Sequence, residues 1–279
     1  MGGRSDRWRV GLFLPLLLLA SGALAQVAPN NATLYLHPTD VSDARALWVN
    51  PAGLGHFPEA SVHLDLTVGD PGVKGQLRQV TLGLNSRGLS LGYQRDLFSS
   101  GRRGHTYKLG YAAGRGGLAA GFATALYRGG TSGTGWDVGI LYDRTPALSI
   151  GGVIQNIGQP VVRDSTLRLT YVPSATLQLA GRRVVLSALS RLTSDGVAGY
   201  GFGVRGTLRA GTSLPIGLLA RLDTDRSLRR GGFAFGFSLG AADMAGLVAT
   251  TPADVNGIDA LSLYGVSTRR FTSARRSKP

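Results

Sequence analysis

From residue 59 onward the chain alternates. Val62, Leu64, Leu66 and Val68 are separated by His63, Asp65 and Thr67. Leu89, Leu91 and Tyr93 are separated by Ser90 and Gly92, and Phe233, Phe235, Phe237 and Leu239 by Ala234, Gly236 and Ser238. Side chains two residues apart share one face of a strand. Each such segment is therefore a strand with an apolar face and a face of Gly, Ala, Ser and Thr, with scattered Gln, Arg and Asp. Turn-forming stretches such as Asp70-Pro71-Gly72, Asn85 to Gly88, Gly114 to Gly117 and Gly129 to Gly135 divide the segments.

The second face decides the class. A water-soluble barrel hides its large apolar residues inside and shows Lys and Glu outside. Here charged residues make up 16% of the chain, against about 25% in an ordinary soluble domain. A face this poor in Lys and Glu does not suit bulk water. Beyond the N-terminus no window of 18 apolar residues exists, so a membrane-embedded chain could not cross as helices. Lipid cannot satisfy an open strand edge, so the strands would have to close into a barrel with the apolar face outward. The expected fold is all-β, a transmembrane antiparallel β-barrel over 59–271. About 14 segments can be counted, and the even-number rule favours 14 strands, with 12 as the alternative.

The first 25 residues read as a secretory signal peptide. Arg4, Arg7 and Arg9 form a basic start, Val10 to Ala20 an apolar core, and Ala23-Leu24-Ala25 a small-x-small cleavage pattern. The mature chain would begin at Gln26. Residues 26–58 then form a segment ahead of the first strand, and 272–279 a basic C-terminal tail. The absence of cysteine removes disulfides and thiolate metal sites from consideration.

One motif stands out in 26–58: Asp43-Ala44-Arg45-Ala46-Leu47-Trp48-Val49-Asn50-Pro51-Ala52-Gly53-Leu54. It resembles the N-terminal W-x-NPAGL signature of FadL-like outer-membrane barrels, the PorV/PorQ-type branch among them. Gly151-Gly152-Val153-Ile154-Gln155-Asn156-Ile157-Gly158-Gln159-Pro160 is similar to a mid-barrel strand end of the same group. The resemblance implies an N-terminal segment lying in or across the lumen near the periplasmic side, with Trp48, Asn50, Pro51 and Gly53 in the plug position. From the residues themselves, Ala44 to Trp48 suits one helical turn capped by Ser42 or Asp40. Pro51 would stop it, Asn50 would bond backbone in the turn, and Gly53 would allow a tight entry to the first strand. Either a purely structural seat or a ligand contact is compatible with these residues.

Arg78, Arg95, Arg205, Arg209 and Arg221 are candidate lumen charges. Arginine rings favour anions in pores. The alternative is that these residues pair with Asp65, Asp137, Asp143 and Asp223 and brace the wall. Arginines elsewhere would face anionic lipid headgroups at the membrane rims.

Several motifs carry no chemistry in context. Gly201 to Gly206 fits G-x-G-x-x-G but lies inside an alternating strand with no helix after it. Arg-Gly-Gly triplets at Arg115, Arg128 and Arg230 fall at turns of an exported chain, so the net charge of +14 does not argue for nucleic acid. The four histidines show no ligand spacing, and no nucleophile elbow or ordered triad is present. Neither an enzyme nor a cofactor is expected. The expected partners are outer-membrane lipid and either a hydrophobic small molecule or a secreted protein. Transport of hydrophobic or amphipathic solutes across the outer membrane of a Gram-negative-type bacterium is the leading function. A non-transporting barrel that assists protein secretion or surface assembly is the other.

Overall fold

The computed structural model describes residues 28–57, 59–71, 75–98, 103–129, 133–162, 165–210, 214–251 and 257–271. The expected leader (1–25) and tail (272–279) lie outside the described residues. Fourteen long strands close into one antiparallel barrel. In chain order they begin with β1 (Glu59–Gly69), β2 (Gln76–Ser86), β3 (Leu89–Leu97), β4 (Arg103–Arg115), β5 (Leu118–Arg128), β6 (Gly133–Thr145) and β7 (Leu148–Ile157). A two-stranded hairpin, β8 (Val161–Val162) and β9 (Ser165–Thr166), interrupts the sequence. The barrel resumes with β10 (Thr170–Leu179), β11 (Val184–Thr193), β12 (Gly196–Ala210), β13 (Leu214–Asp225), β14 (Arg230–Gly240), β15 (Asp243–Thr251) and β16 (Ala260–Arg270). Neighbours in sequence are neighbours in space, and β1 pairs with β16 from Glu59↔Arg270 to Gly69↔Ala260 to close the wall. The expected count of 14 is the observed one.

The alternation maps onto the wall as the composition requires. Leu91, Ile140 and Leu263 point out and are 55%, 52% and 54% exposed. His63, Thr176 and Ser262 point in and are 0% exposed. Burial of apolar surface drives folding in water, and this barrel leaves its large apolar residues on the outside all round. Among the described residues no helix is long and apolar enough to cross a membrane. The bilayer is crossed, on this physical argument, by the strands, which pair with one another around a closed ring.

The two ends differ. At the end holding Glu59 and Arg270, strands are joined by tight connections such as Arg87–Gly88, Gly116–Gly117 and Pro146–Ala147. The opposite end carries the longer ones, among them 158–169 and 252–259. The first of these turns back into the barrel mouth: Val162 is buried with Ala125 and Tyr127 of β5, and Leu167 packs on them.

Residues 28–57 lie inside the ring as three short turns. These are the 3-10 turn Asn31–Leu34, α1 (Ala46–Val49) and a second 3-10 turn, Pro51–Gly55. Their side chains form the core of the lumen. Tyr35, Leu36, Val41, Leu47, Trp48 and Leu54 cluster with Ala112, Ala123, Val248, Tyr264 and Val266 of the wall. Tyr35 stacks on Tyr264 with ring centres 5.6 Å apart. Tyr264 and Val266 therefore form the inner face of β16, while Leu261 and Leu263 form the outer one.

Candidate functional site

The site is the lumen, and its floor is the NPAGL segment. The one-turn helix starts at Ala46 with Arg45 as its N-cap and no side-chain cap. Neither Ser42 nor Asp40 caps it. Asp43 instead accepts from the Arg45 backbone N–H at 2.9 Å and from its guanidinium at 2.6 Å. The pairing with Arg45 holds the Asp43 carboxyl below its ordinary value although burial pushes it up.

Asn50 ends the helix and caps the next turn. Its Oδ1 accepts from Ala52 N–H at 3.1 Å, and its Nδ2 donates to Pro38 O at 3.0 Å and to Ile140 O at 3.3 Å. One fully buried amide thus ties together the turn, the preceding chain and β6. Pro51 stands at the first position of that turn, where its missing N–H costs nothing. Gly53 does not provide an unusual backbone angle. Its role is close approach: a Cβ there would come 2.2 Å from Val41 O.

The wall makes room for this segment with inward glycines. Opposite Asn50, a Cβ on Gly139 would lie 1.9 Å from its Oδ1. Gly121, the cross-strand partner of Gly139, faces Pro51 O in the same way, and Gly92 faces Leu47 and Trp48. Trp48 also lies under Lys108, whose Nζ is 5.5 Å from the indole ring. That ammonium donates to Leu47 O at 3.2 Å and to Asp137 Oδ2 at 2.5 Å.

The arginines divide into groups. Arg221 is 2% exposed and donates to Thr33 O at 2.9 Å, to Leu36 O at 2.5 Å and to Asp223 at 3.0 Å. Arg205 donates to Asp40 at 2.8 Å. Burial outweighs this pairing and raises the Asp40 carboxyl above its ordinary value. Both arginines thus fasten 28–57 to the wall. Arg78 lies at the long-loop rim, folded over Gly69 and bonded to Asp70 and Asp259 at 2.5 and 3.3 Å. Arg95 faces outward, in phase with Leu91 and Tyr93, while Gln94 and Asp96 face the lumen. The expectation that Arg95 lines the lumen is corrected by that phase. The Arg209 side chain lies outside what the structure describes. Of the expected acidic partners, Asp223 takes both Arg191 and Arg221, Asp137 takes Lys108, Asp143 takes His56, and Asp65 meets Tyr35 and Thr67. No anion-selective ring forms among the described arginines, since each inward one has a carboxylate partner.

Lys108 and Arg191 were not among the sequence candidates. Both share a face with small inward residues (Lys108 with Thr106 and Gly110, Arg191 with Ser187), and that phase is the signal that would have found them.

Above the floor, toward the long-loop end, a cavity of about 650 Å³ remains. Its apolar lining comes from Leu36, Trp48 and Val49 below and from Tyr127, Val172 and Leu189 on the wall. Val153, Val172 and Leu189 form an inward apolar cluster on β7, β10 and β11. Gln94, Lys108, Asp137, Gln155, Arg191 and Asp223 supply the polar part. His37 sits where the segment meets Gly203, whose Cβ would touch the imidazole. Burial first, then the Arg221 and Arg191 charges, lower the His37 pKa to about 3, with Asp223 opposing. Among the described residues no cluster of His, Asp or Glu could hold a metal ion.

No protein-family model and no curated protein matches the sequence. Solved structures do resemble the fold. The CymD monoaromatic hydrocarbon channel matches with a TM-score of 0.57 at 10% identity, over 90% of this chain and 99% of the other. The Ralstonia pickettii toluene transporter TbuX matches with a TM-score of 0.55 at 13% identity, over 90% of this chain and 100% of the other. At such identities the likeness is one of fold: a 14-stranded antiparallel barrel like those of outer-membrane channels.

Proposed function

We propose that the protein is an outer-membrane channel for small hydrophobic or amphipathic solutes, of the FadL-like type that its NPAGL motif resembles. The observation that carries this reading is the filled lumen. A porin for hydrophilic solutes needs a continuous water-filled passage. Here Leu47, Trp48 and Leu54 build a dry core across the ring at 0%, 5% and 0% exposure.

What remains open is a half-apolar chamber facing the long-loop end. Its volume of about 650 Å³ falls within the range that holds drug-sized ligands, about 300–1,000 Å³. A ligand lying on Trp48, Tyr127, Val172 and Leu189 would bury apolar surface, and the Arg191–Asp223 pair at its edge would suit a polar end. The chamber takes solute, and residues 28–57 must yield for it to pass. The fold likeness to a toluene transporter and a monoaromatic hydrocarbon channel supports the same solute class. Trp48, Asn50, Pro51 and Gly53 are floor residues here, with Trp48 the one that touches solute. Arg205 and Arg221 hold the floor, and Arg78 braces the outer rim. The short connections face the periplasm and the long ones the exterior, as in single-chain outer-membrane barrels.

The test is uptake of radiolabelled toluene and of a sugar of similar size into cells that carry or lack the protein. Faster toluene uptake with unchanged sugar uptake is expected. Equal uptake of both with and without the protein would reject transport. Co-purification of a secreted protein in that case would select the accessory role.

A further inference from the structure

Three basic side chains stand in line on the outer wall. Arg95 of β3 is the direct cross-strand partner of His105 on β4, and His105 is the direct partner of Arg128 on β5. Arg103, two residues from His105, points the same way. Below them, away from the long-loop end, lie Tyr93 and Tyr107 with rings 5.3 Å apart, and then the leucines of the apolar belt. Four basic groups therefore cluster on three adjacent strands, just outside the aromatic edge of the belt.

Among the described residues no carboxylate balances them. Outward positions of β3, β4 and β5 carry no carboxylate. Among the described residues neither Arg95, Arg103, His105 nor Arg128 has an ion pair, and Arg95 Nε is buried without a partner. Asp96, next in sequence to Arg95, faces the lumen and accepts from the Gln79 and Gln94 amides. The arrangement is also held in place. Tyr93 O–H and His105 Nδ1 are 2.8 Å apart with the rings stacked, and Arg128 Nη1 donates to Tyr127 O at 2.9 Å.

We propose that Arg95, Arg103, His105 and Arg128 form an outward-facing site for the phosphorylated headgroup of an outer-leaflet lipid. The ligand chemistry follows from the donors. Guanidinium forks match phosphate oxygens in paired hydrogen bonds. The level matches as well, because the cluster lies where headgroups meet the acyl region while Tyr93, Tyr107, Leu109 and Leu126 cover the chains. With neighbouring strands about 4.8 Å apart, Arg95 and Arg128 stand about 10 Å apart at the backbone, close enough to grip one headgroup from both sides. The proposal rests on the outer-membrane reading above.

The experiment uses the full chain in neutral maltoside micelles. A bisphosphorylated glucosamine lipid is titrated in and bound lipid is followed by native mass spectrometry. Heat-modifiable migration on gels reports folding. Arg95→Gln/Arg128→Gln is expected to bind about a hundredfold more weakly, at about tenfold for each guanidinium–phosphate interaction removed. Arg226→Gln/Arg229→Gln, at the same end of the barrel, is expected to bind as the parent does. Inorganic phosphate is expected not to displace the lipid. A weakening of less than about threefold in the first variant, or equal weakening in both, would overturn the site. Effective competition by inorganic phosphate would make the ligand a free anion and overturn the lipid. A parent chain that never becomes heat-modifiable would overturn the membrane reading itself.

Discussion

Asn50 and Gly139 should behave as one unit. The fully buried Asn50 makes three hydrogen bonds, each worth about 1 kcal/mol net. Asn50→Ala should therefore loosen the floor of the lumen by about 3 kcal/mol. Gly139→Ala should do comparable damage from the other side of the contact. Its new Cβ would sit 1.9 Å from Asn50 Oδ1, where ordinary contact begins at 3.4 Å, so the amide must retreat by about 1.5 Å. That retreat breaks the bond to Ile140 O and adds packing strain of about 1–3 kcal/mol. Once Asn50 is alanine the obstacle is gone. The double variant should then cost about what Asn50→Ala costs alone, leaving a coupling of about 2–3 kcal/mol. Amide hydrogen exchange over residues 44–55 measures this opening, and each 1.4 kcal/mol appears as about a tenfold faster exchange. Each single variant should exchange about a hundredfold faster than the parent, and the double variant no faster than Asn50→Ala. A double variant whose acceleration equals the product of the two singles would show that the residues act separately, and the assigned role of Asn50 would fall.

Other consequences are separable. Arg221→Gln removes the charged donors to Thr33 O and Leu36 O, and residues 28–40 should become open to protease at a cost of about 3 kcal/mol, with the barrel still heat-modifiable. Leu47→Ala empties a fully buried site and should weaken floor packing by about 2–5 kcal/mol, read as more frequent channel openings in planar bilayers. His37 gives a pH dependence. Its seated pKa of about 3 lies below the ordinary histidine value of 6.5, so the released segment binds the proton more tightly. Seating is thus fully favoured above about pH 6.5 and weakens as pH falls toward 3. The weakening is about 2 kcal/mol at pH 5. Protection factors over residues 31–40, taken against the intrinsic exchange rate at each pH, should fall on acidification in the parent and much less in His37→Gln.

Much of the barrel was legible because one physical rule repeats. Outside must suit lipid and inside must suit what fills the ring, so Val62, Leu64 and Phe235 alternate with His63, Asp65 and Ala234 along whole strands. The same rule placed Arg95 outward. Arg95 is in phase with Leu91 and Tyr93, and the strand is long enough to carry it past the aromatic edge. The floor was legible only as a motif. Asn50, Pro51 and Gly53 announce a compact turn, but the purpose of Gly53 is a neighbour 12 residues earlier, Val41, whose approach no local pattern encodes. The partners of the lumen arginines were hidden for the same reason. Arg221 to Leu36 and Arg205 to Asp40 join residues 185 and 165 apart in sequence, and only the closed ring brings them together. The glycine row was visible as composition, 42 in the chain, without a reason until Gly92, Gly121 and Gly139 were found under the NPAGL segment.

The central claim is that residues 28–57 close the lumen to hydrophilic solutes. Single-channel conductance in planar bilayers, comparing the parent with a chain lacking residues 28–57, tests it most directly. The account predicts a parent that is nearly silent and a deletion variant with large, steady, salt-dependent conductance through a 14-stranded ring. A parent that already conducts like an open porin, with no gain on deletion, would contradict it.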